Sequence, residues 1–270
     1  MNFFHNKQDG LDLLQAEGFT DAGAVHAFST RQGGVSQGHL SSLNLGIGRG
    51  DDLDNVRENY RRWCGAVGAD DQNMVFSKQV HLDHVRVCTT ADAGKGLDRE
   101  RDYEADGLIT DVPGLALVIF SADCVPILFY DPVRRVVGGC HAGWRGTAQG
   151  IAGKTVRKMV EVYGCDPADM RCAIGPSISR CCFETHADVP TAMRQALGQE
   201  AEAFVDSLPN GKFRVDLKAI NGYWLEKAGV LPSKIVTSHD CTSCHPDIYW
   251  SHRHTGPARG SMAAIIQLKK

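Results

Sequence analysis

The chain has 270 residues, 43% of them hydrophobic and 23% charged, and carries a formal net charge of −3. That is enough chain for a substantial core, in the proportions of an ordinary globular protein, with no basic excess to draw nucleic acid or an anionic membrane. The longest apolar runs, Leu115 to Phe120 and Val125 to Tyr130, are far too short to span a bilayer.

In chain order, residues 1–14 contain Asp9 and Asp12 and no apolar signal-peptide core, so a cytoplasmic chain is expected. In that compartment the ten cysteines are expected to be reduced, a few of them serving a metal or catalysis. Ala24 to Ser29 reads as a strand running into the Gly-rich loop Thr30 to Ser36. Asp51 or Asp52 caps a helix whose Val56, Tyr60, Trp63 and Val67 share one face, and Gly68 closes it. Met74 to Phe76 and Val85 to Cys88 read as strands around Gln79-Val80-His81. Leu115 to Phe120, Val125 to Tyr130 and Val136 to Cys140 are unbroken apolar runs, the pattern of strands buried on both faces. A helix is predicted from Thr147 to Tyr163, ended by Gly164. Strands follow at Arg171 to Ile174, Lys234 to Ser238 and Met262 to Leu268, and helices at Asp188 to Leu197 and Leu217 to Ala228. Strands and helices alternate throughout, with no repeat and no linker, which predicts one α/β domain over 1–270 with a mixed sheet.

Five clusters carry candidate chemistry. Ala122-Asp123-Cys124-Val125-Pro126 breaks two buried strands at a sheet edge, where Asp and Cys can face a cleft; the plainer reading is a buried structural cysteine. Cys140-His141-Ala142-Gly143-Trp144-Arg145-Gly146-Thr147 joins a strand to a helix, a place that presents N–H groups, an imidazole and a fixed cation to a ligand. Gln79-Val80-His81 adds a second imidazole. Imidazole nitrogen and thiolate suit zinc, and three protein donors with a fourth position open are the pattern of catalytic zinc. The spacings of 43 and 17 residues are no local metal signature, so convergence of His81, Cys124 and His141 is an expectation for the fold to meet. The loop Ser29-Thr30-Arg31-Gln32-Gly33-Gly34 offers glycines, a hydroxyl and a guanidinium to a phosphate. Cys241-Thr242-Ser243-Cys244-His245 has the form of a haem c attachment string, which the compartment argues against. A structural or packing role is preferred, the other reading being a closed zinc site with His252 or His254.

Taken in order, these strings resemble the YfiH family, also called the polyphenol oxidase or laccase-domain family, the peptidoglycan editing factor family and the FAMIN-type purine nucleoside phosphorylases. The resemblance runs from His26-Ala27-Phe28-Ser29-Thr30-Arg31-Gln32-Gly33-Gly34-Val35-Ser36 through Leu43-Asn44-Leu45-Gly46, Asp51-Asp52 and Gln79-Val80-His81. It continues through Ala105-Asp106-Gly107-Leu108-Ile109-Thr110, Ala122 to Ile127 and His141 to Thr147, and ends on Ile174-Gly175-Pro176 and Ser251-His252-Arg253. It implies a layered α/β fold with mixed sheets, like the cysteine hydrolase-like catalytic domain of cytotoxic necrotising factor. It also implies a metal, zinc with copper as the other candidate, on His81, Cys124 and His141. The implied reactions are phosphorolysis of adenosine, inosine and S-methyl-5′-thioadenosine, and deamination of adenosine. Substrate contacts are then expected at Ser29, Arg31, Asn44 and Gln79, and catalytic roles at Cys124, His141, Asp123 and Arg145. The family pattern is departed from at Leu82, Ser177 and His254, where Gly, Cys and Arg are usual.

In this reading Asp123 shuttles a proton, and Arg31 and Arg145 hold phosphate. The partners are purine nucleosides and phosphate, with no nucleic acid and no membrane, and the chain is a monomer or homodimer. Three other readings use the same residues. Cys124 and His141 form the nucleophile and base of a thiol hydrolase or amidase, acting on a peptidoglycan precursor. A copper laccase would need further His-rich sites, and the chain has a single His-X-His, His252-Arg253-His254. A metal that merely pins the fold would need a fourth protein donor; His84 is near His81 but of opposite strand parity.

Overall fold

The unbroken apolar runs become strands with an apolar layer on each side. A computed structural model describes residues 2–19 and 23–270; residues 1 and 20–22 of the predicted 1–270 domain lie outside the described residues. In chain order the elements are β1 (Phe3–Gln8), β2 (Leu11–Ala16), β3 (Ala24–Ser29), α1 (Leu53–Val67), β4 (Met74–Val75), β5 (Val85–Val87) and β6 (Gly107–Thr110). Then come β7 (Ala116–Ser121), β8 (Val125–Asp131), β9 (Val136–Ala142), α2 (Trp144–Ala148), α3 (Ile151–Tyr163), β10 (Arg171–Ile174), β11 (Glu184–Thr185) and α4 (Asp188–Leu197). The chain ends with β12 (Val205–Ser207), β13 (Phe213–Val215), α5 (Leu217–Lys227), β14 (Ile235–Thr237), α6 (His252–Thr255) and β15 (Met262–Leu268).

One six-stranded sheet runs β1-β2-β3-β15-β7-β4, with only the β4–β7 pair parallel. A second runs β14-β10-β8-β9-β6-β5, parallel at its two edges and antiparallel between them. A small sheet, β11-β13-β12, lies apart.

The two large sheets pack face to face. Phe28, Leu117, Ile119 and Ile266 of the first share a layer with Leu108, Leu128, Tyr130 and Val137 of the second. On the outer side of the first sheet, Ala116, Val118 and Ile265 meet Val56, Tyr60, Trp63 and Val67 of α1. On the outer side of the second, Ile127, Phe129 and Cys140 meet Val156 and Met159 of α3 and Ile220 and Leu225 of α5. Alternate residues of β7 and β8 therefore face different layers, which is why neither strand alternates apolar with polar. Each large apolar side chain so enclosed contributes about 1.5–3 kcal/mol. Close approach of the sheets needs Gly139, where a Cβ would sit 2.8 Å from Cγ1 of Ile119.

The helix over 53–67 matches its predicted face and caps: Asp52 accepts from the Asp54 N–H at 2.9 Å, and Gly68 takes a left-handed φ of 80°. The helix predicted over 147–163 is two helices instead. Gly150, at φ 72°, separates α2 from α3, and Gly164 ends the second as predicted. The hairpin of β1 and β2, turning through Asp9-Gly10 at φ 52° and 80°, lacks a predicted counterpart. Its first strand is largely exposed and polar, so no apolar run marks it.

Candidate metal centre

Three connections meet at one place: the loop after β4, the link from β7 to β8, and the junction of β9 with α2. They bring His81, Cys124 and His141 together, with the nearest Nδ1 or Nε2 and the Sγ all within 4.8 Å of one another. The rings of His81 and His141 stand edge to face with centroids 4.8 Å apart. His141 is buried, Cys124 half-buried and His81 exposed, so the group opens on one side to a pocket.

Gly143 makes the convergence sterically feasible. A Cβ there would lie 2.8 Å from Cδ2 of His81, 3.4 Å from Sγ of Cys124 and 3.7 Å from Cε1 of His141. Gly146 lets the His81 loop approach, since its Cβ would meet the Leu82 carbonyl oxygen at 2.9 Å. Both glycines of the His-Ala-Gly-Trp-Arg-Gly string thus serve space rather than a turn.

The organiser of the centre is Asp106, at the entry to β6. Its carboxylate accepts from the backbone N–H groups of Val80, His81 and Leu82, each at 3.0 Å. It also accepts from Nδ1 of His141 at 2.7 Å, and its carbonyl accepts from the His141 N–H at 2.7 Å. This clamp holds His81 at φ 63°, a conformation a non-glycine residue rarely takes. It also commits Nδ1 of His141 to the carboxylate and leaves Nε2 as the donor, the usual arrangement behind a metal-bound histidine. Sequence reasoning assigned Asp106 no role, although Ala105-Asp106-Gly107 stood among the strings of the resemblance.

Electrostatics follow from the packing. Burial pushes the Cys124 thiol up, but His141 and His81 outweigh it and bring it down to about 6. Burial pulls His141 down, but Cys124 and then Asp106 raise it to about 9. Burial lifts Asp106 too, and the bonds from His141, Leu82 and Val80 leave it below the usual carboxylate range. Two imidazoles, a thiol that ionises readily and a carboxylate behind them form a donor set that fits zinc.

The other expected residues are distributed unevenly. Gln79 lines the pocket with its amide held on one backbone unit: Oε1 accepts from Phe120 N–H at 2.7 Å and Nε2 donates to Phe120 O at 2.9 Å. Asn44 is buried behind the wall, its Oδ1 accepting from the N–H groups of Gly46 and Ser261, two pocket residues. Ser29 is buried and accepts from the Ala263 N–H at 3.0 Å. Asp123, at φ 89°, has one oxygen on Oγ1 of Thr242 and the other on the N–H of Arg253, both at 2.6 Å. Its carboxylate is thereby fixed beside Cys124 rather than free to turn.

The two arginines expected to hold phosphate do not line this pocket. Arg31 lies 3.7 Å above the Trp250 ring and donates to the carbonyls of Pro246 and Ser41. Arg145 lies 4.1 Å above Trp144 and faces a different depression with Ala148 and Gln149. The Arg31 guanidinium is taken by stacking and by carbonyls, and that of Arg145 by stacking. The pocket's own cations are Arg49, Arg101 and Arg259. Arg259 is largely desolvated, which with Arg49 nearby lowers it to about 10 against the pull of Asp123 and Cys124, so it stays charged at neutral pH. Its Nη1 reaches Gly260 O and Ser261 Oγ, while its buried Nε has no partner. Arg259 sits in the loop between α6 and β15, a position the sequence analysis did not single out.

The family described as multi-copper polyphenol oxidoreductase laccase matches residues 25–269. The chain is 38% identical over 250 residues to purine nucleoside phosphorylase YlmD of Geobacillus stearothermophilus, covering 91% of this chain and 90% of that one. It is 33% identical over 237 residues to adenosine deaminase RL5 from an unknown prokaryotic organism, covering 86% and 89%. The crystal structure of hypothetical protein YfiH from Bacillus licheniformis superposes with a TM-score of 0.92 at 35% identity, over 98% of this chain and 99% of that one.

Proposed function

The chain belongs to the YfiH family, the one described as multi-copper polyphenol oxidoreductase laccase, and on that premise we propose that it is a zinc-dependent purine nucleoside enzyme. The reactions are phosphorolysis of adenosine, inosine and S-methyl-5′-thioadenosine, and deamination of adenosine. The observation that carries this reading is a three-donor centre opening on a pocket whose wall holds Arg49, Arg101 and Arg259, one of them with an unpartnered buried N–H. Relatives named purine nucleoside phosphorylase and adenosine deaminase support it.

His81, Cys124 and His141 would hold the zinc, which would supply Lewis acidity at the pocket. The protein's part is positioning and charge. Asp106 fixes the tautomer of His141 and the path of the His81 loop. The three arginines replace Arg31 and Arg145 as the groups that bind phosphate and offset charge as the purine leaves. Phe120, Ile47 and Ala122 give the purine an apolar wall. Asp123 holds Cys124 and the Arg253 segment in place. We assign the enzyme to the cytoplasm, as a monomer or homodimer; its ten cysteines are free thiols, and among the described residues no helix is long and apolar enough to cross a membrane.

A second reading has one observation in its favour. Cys124, His141 and Asp106 stand in the order nucleophile, base and orienting carboxylate, which suits a thiol hydrolase or amidase on a peptidoglycan precursor. A laccase would need further histidine-rich centres, and among the described residues the second converging donor group consists of cysteines alone.

The test is metal content of the purified chain beside adenosine and inosine turnover, with and without phosphate, in wild type and Cys124→Ala. One zinc and phosphate-dependent base release, both lost in the variant, support the first reading. Turnover of an amide substrate that survives complete chelation would replace it with the second.

A further inference from the structure

We propose that the chain carries a second metal site, a structural zinc bound by Cys181, Cys182, Cys241 and Cys244. The four Sγ atoms lie within 4.8 Å of one another. Individual separations are 3.8 Å for Cys181–Cys182, 3.6 Å for Cys181–Cys244 and 3.3 Å for Cys182–Cys244. Tetrahedral zinc–thiolate bonds of about 2.3 Å set sulfur–sulfur edges of about 3.8 Å, so the cluster already has the size of the ion's first shell. His252 and His254, the donors the sequence offers to Cys241 and Cys244, are not in the group.

Local backbone explains how two adjacent cysteines face one point. In an extended chain their side chains would point apart. Here residues 179–182 form a turn, with the Cys182 and Phe183 N–H groups donating to Ser179 O at 3.0 Å each. A second turn shapes the Cys-Thr-Ser-Cys string, the Cys244 N–H donating to Cys241 O at 3.1 Å. The two turns are joined by Thr242 N–H on Ser177 O at 3.1 Å and by Ser179 N–H on Sγ of Cys241 at 3.3 Å, the kind of bond that supports a metal thiolate. Lys218, only 6% exposed, places its ammonium between them, on Ser179 Oγ at 3.0 Å, Ser238 O at 2.9 Å and Asp240 O at 2.6 Å. That buried cation offsets the charge of four thiolates, whose protons leave to solvent when the ion binds. Cys181 and Cys244 are exposed, which gives the ion a way in.

The site's work follows from what the two turns hold. Ile178 N–H donates to Asp123 O at 2.9 Å and Thr242 Oγ1 to Asp123 Oδ1 at 2.6 Å. Arg253 bridges the two regions, its N–H on Asp123 Oδ2 and its Nη1 on Cys182 O at 2.7 Å. The four-cysteine zinc therefore staples the segments that clamp Asp123, the neighbour of Cys124. It is a positioning device for the first centre with four protein donors and no open position.

The experiment uses the full chain purified without chelator, in wild type, Cys124→Ser and the double variant Cys181→Ser/Cys244→Ser. Zinc is counted by mass spectrometry, and zinc is then exchanged for cobalt(II). Wild type should hold two equivalents. Cys124→Ser should keep one, and its cobalt form should give the intense sulfur-to-cobalt bands of a tetrahedral four-thiolate site. The double variant should lose that equivalent and those bands. An unchanged zinc count in the double variant, or a reduced Cys124→Ser chain without thiolate bands, overturns the proposal. So does a Cys182–Cys244 disulfide in freshly purified wild type with no second ion. Should the double variant fail to fold, the cobalt spectrum of Cys124→Ser decides alone. None of these readouts depends on the purine reaction, so failure here leaves that reading standing, and the reverse.

Discussion

The two candidate metal centres of this chain differ in closure. His81, Cys124 and His141 are three donors of mixed type set between two sheets and open to an arginine-walled pocket. Cys181, Cys182, Cys241 and Cys244 are four like donors on two surface turns, with nowhere for a substrate atom. What surrounds them differs too. Behind the first stands Asp106, which spends its carboxylate on three N–H groups and one imidazole. Behind the second stands Lys218, a cation on carbonyls. A carboxylate makes a histidine a better donor, while an ammonium quiets thiolates. The same element of sequence, a cysteine in a loop, thus becomes part of a reactive centre or of a staple according to donor count and the charge of its support.

Cys124→Ala should break the comparison most severely. The first centre loses its thiolate, and zinc there and nucleoside turnover both fall below detection. The cobalt spectrum of the cysteine cluster should persist. Removing the staple by Cys181→Ser/Cys244→Ser should do the reverse, lowering the thermal midpoint while leaving measurable turnover at low temperature. Equal loss of turnover in both would mean that the clusters are one functional unit.

Asp106→Asn sharpens the contrast one layer out. The amide keeps the shape but surrenders the charge and offers donors to a place that needs acceptors. Loss of such a supporting carboxylate typically costs about 10–100-fold in metal affinity or activity, and competition with a chromogenic chelator would read it. An affinity equal to wild type would show that the clamp serves only the loop.

The thiols themselves differ in acidity. In metal-free, reduced chain, Cys124 titrates near 6 because its histidines outweigh burial, whereas Cys88 is pushed up to about 12 by burial and then by Asp92. A lowered value means that the thiolate is present above about pH 6 and lost below it. Iodoacetamide labelling of Cys124 should therefore rise through that pH and level off near neutrality, while Cys88 stays unlabelled. Labelling of Cys124 that begins only above pH 8 would remove the thiolate–imidazole coupling. Arg259→Ala should raise the phosphate KM by about tenfold, the loss of one charged hydrogen bond, and Arg145→Ala should leave it within a factor of two of wild type (~0.4 kcal/mol).

The fold's centre was legible because burial on two faces leaves unbroken apolar runs at β7, β8 and β9, and the caps Asp52, Gly68 and Gly164 mark helix ends by local chemistry. The three candidate metal donors were legible as residue types and as a resemblance, but their meeting depends on sheet pairing across 60 residues, which no spacing encodes. Asp106 was hidden because a carboxylate before a strand looks like any turn residue. Arg31 shows a related limit: a guanidinium beside glycines reads as a phosphate cradle, and only the fold brings Trp250, more than two hundred residues on, beneath it. The cysteine cluster was half visible, since the Cys-x-x-Cys string is local while its partners at 181–182 arrive only through the fold.

The smallest change separates the centres most finely. Gly143 has an ordinary φ of −65°, so alanine fits the backbone there, and the cost lies in space alone. Its methyl would press Cδ2 of His81 from 2.8 Å. His81 is exposed and can swing away, so the fold should lose less than the about 1 kcal/mol at which overpacking usually begins to cost. A ring that swings away no longer aims its nitrogen at the point shared with Cys124 and His141. Gly143→Ala should therefore weaken zinc at the first centre severalfold with the thermal midpoint nearly unchanged, and leave the cysteine cluster's cobalt spectrum as it was. If the midpoint falls while first-centre affinity holds, the glycine serves the start of α2, and the space it leaves beside the three donors is incidental.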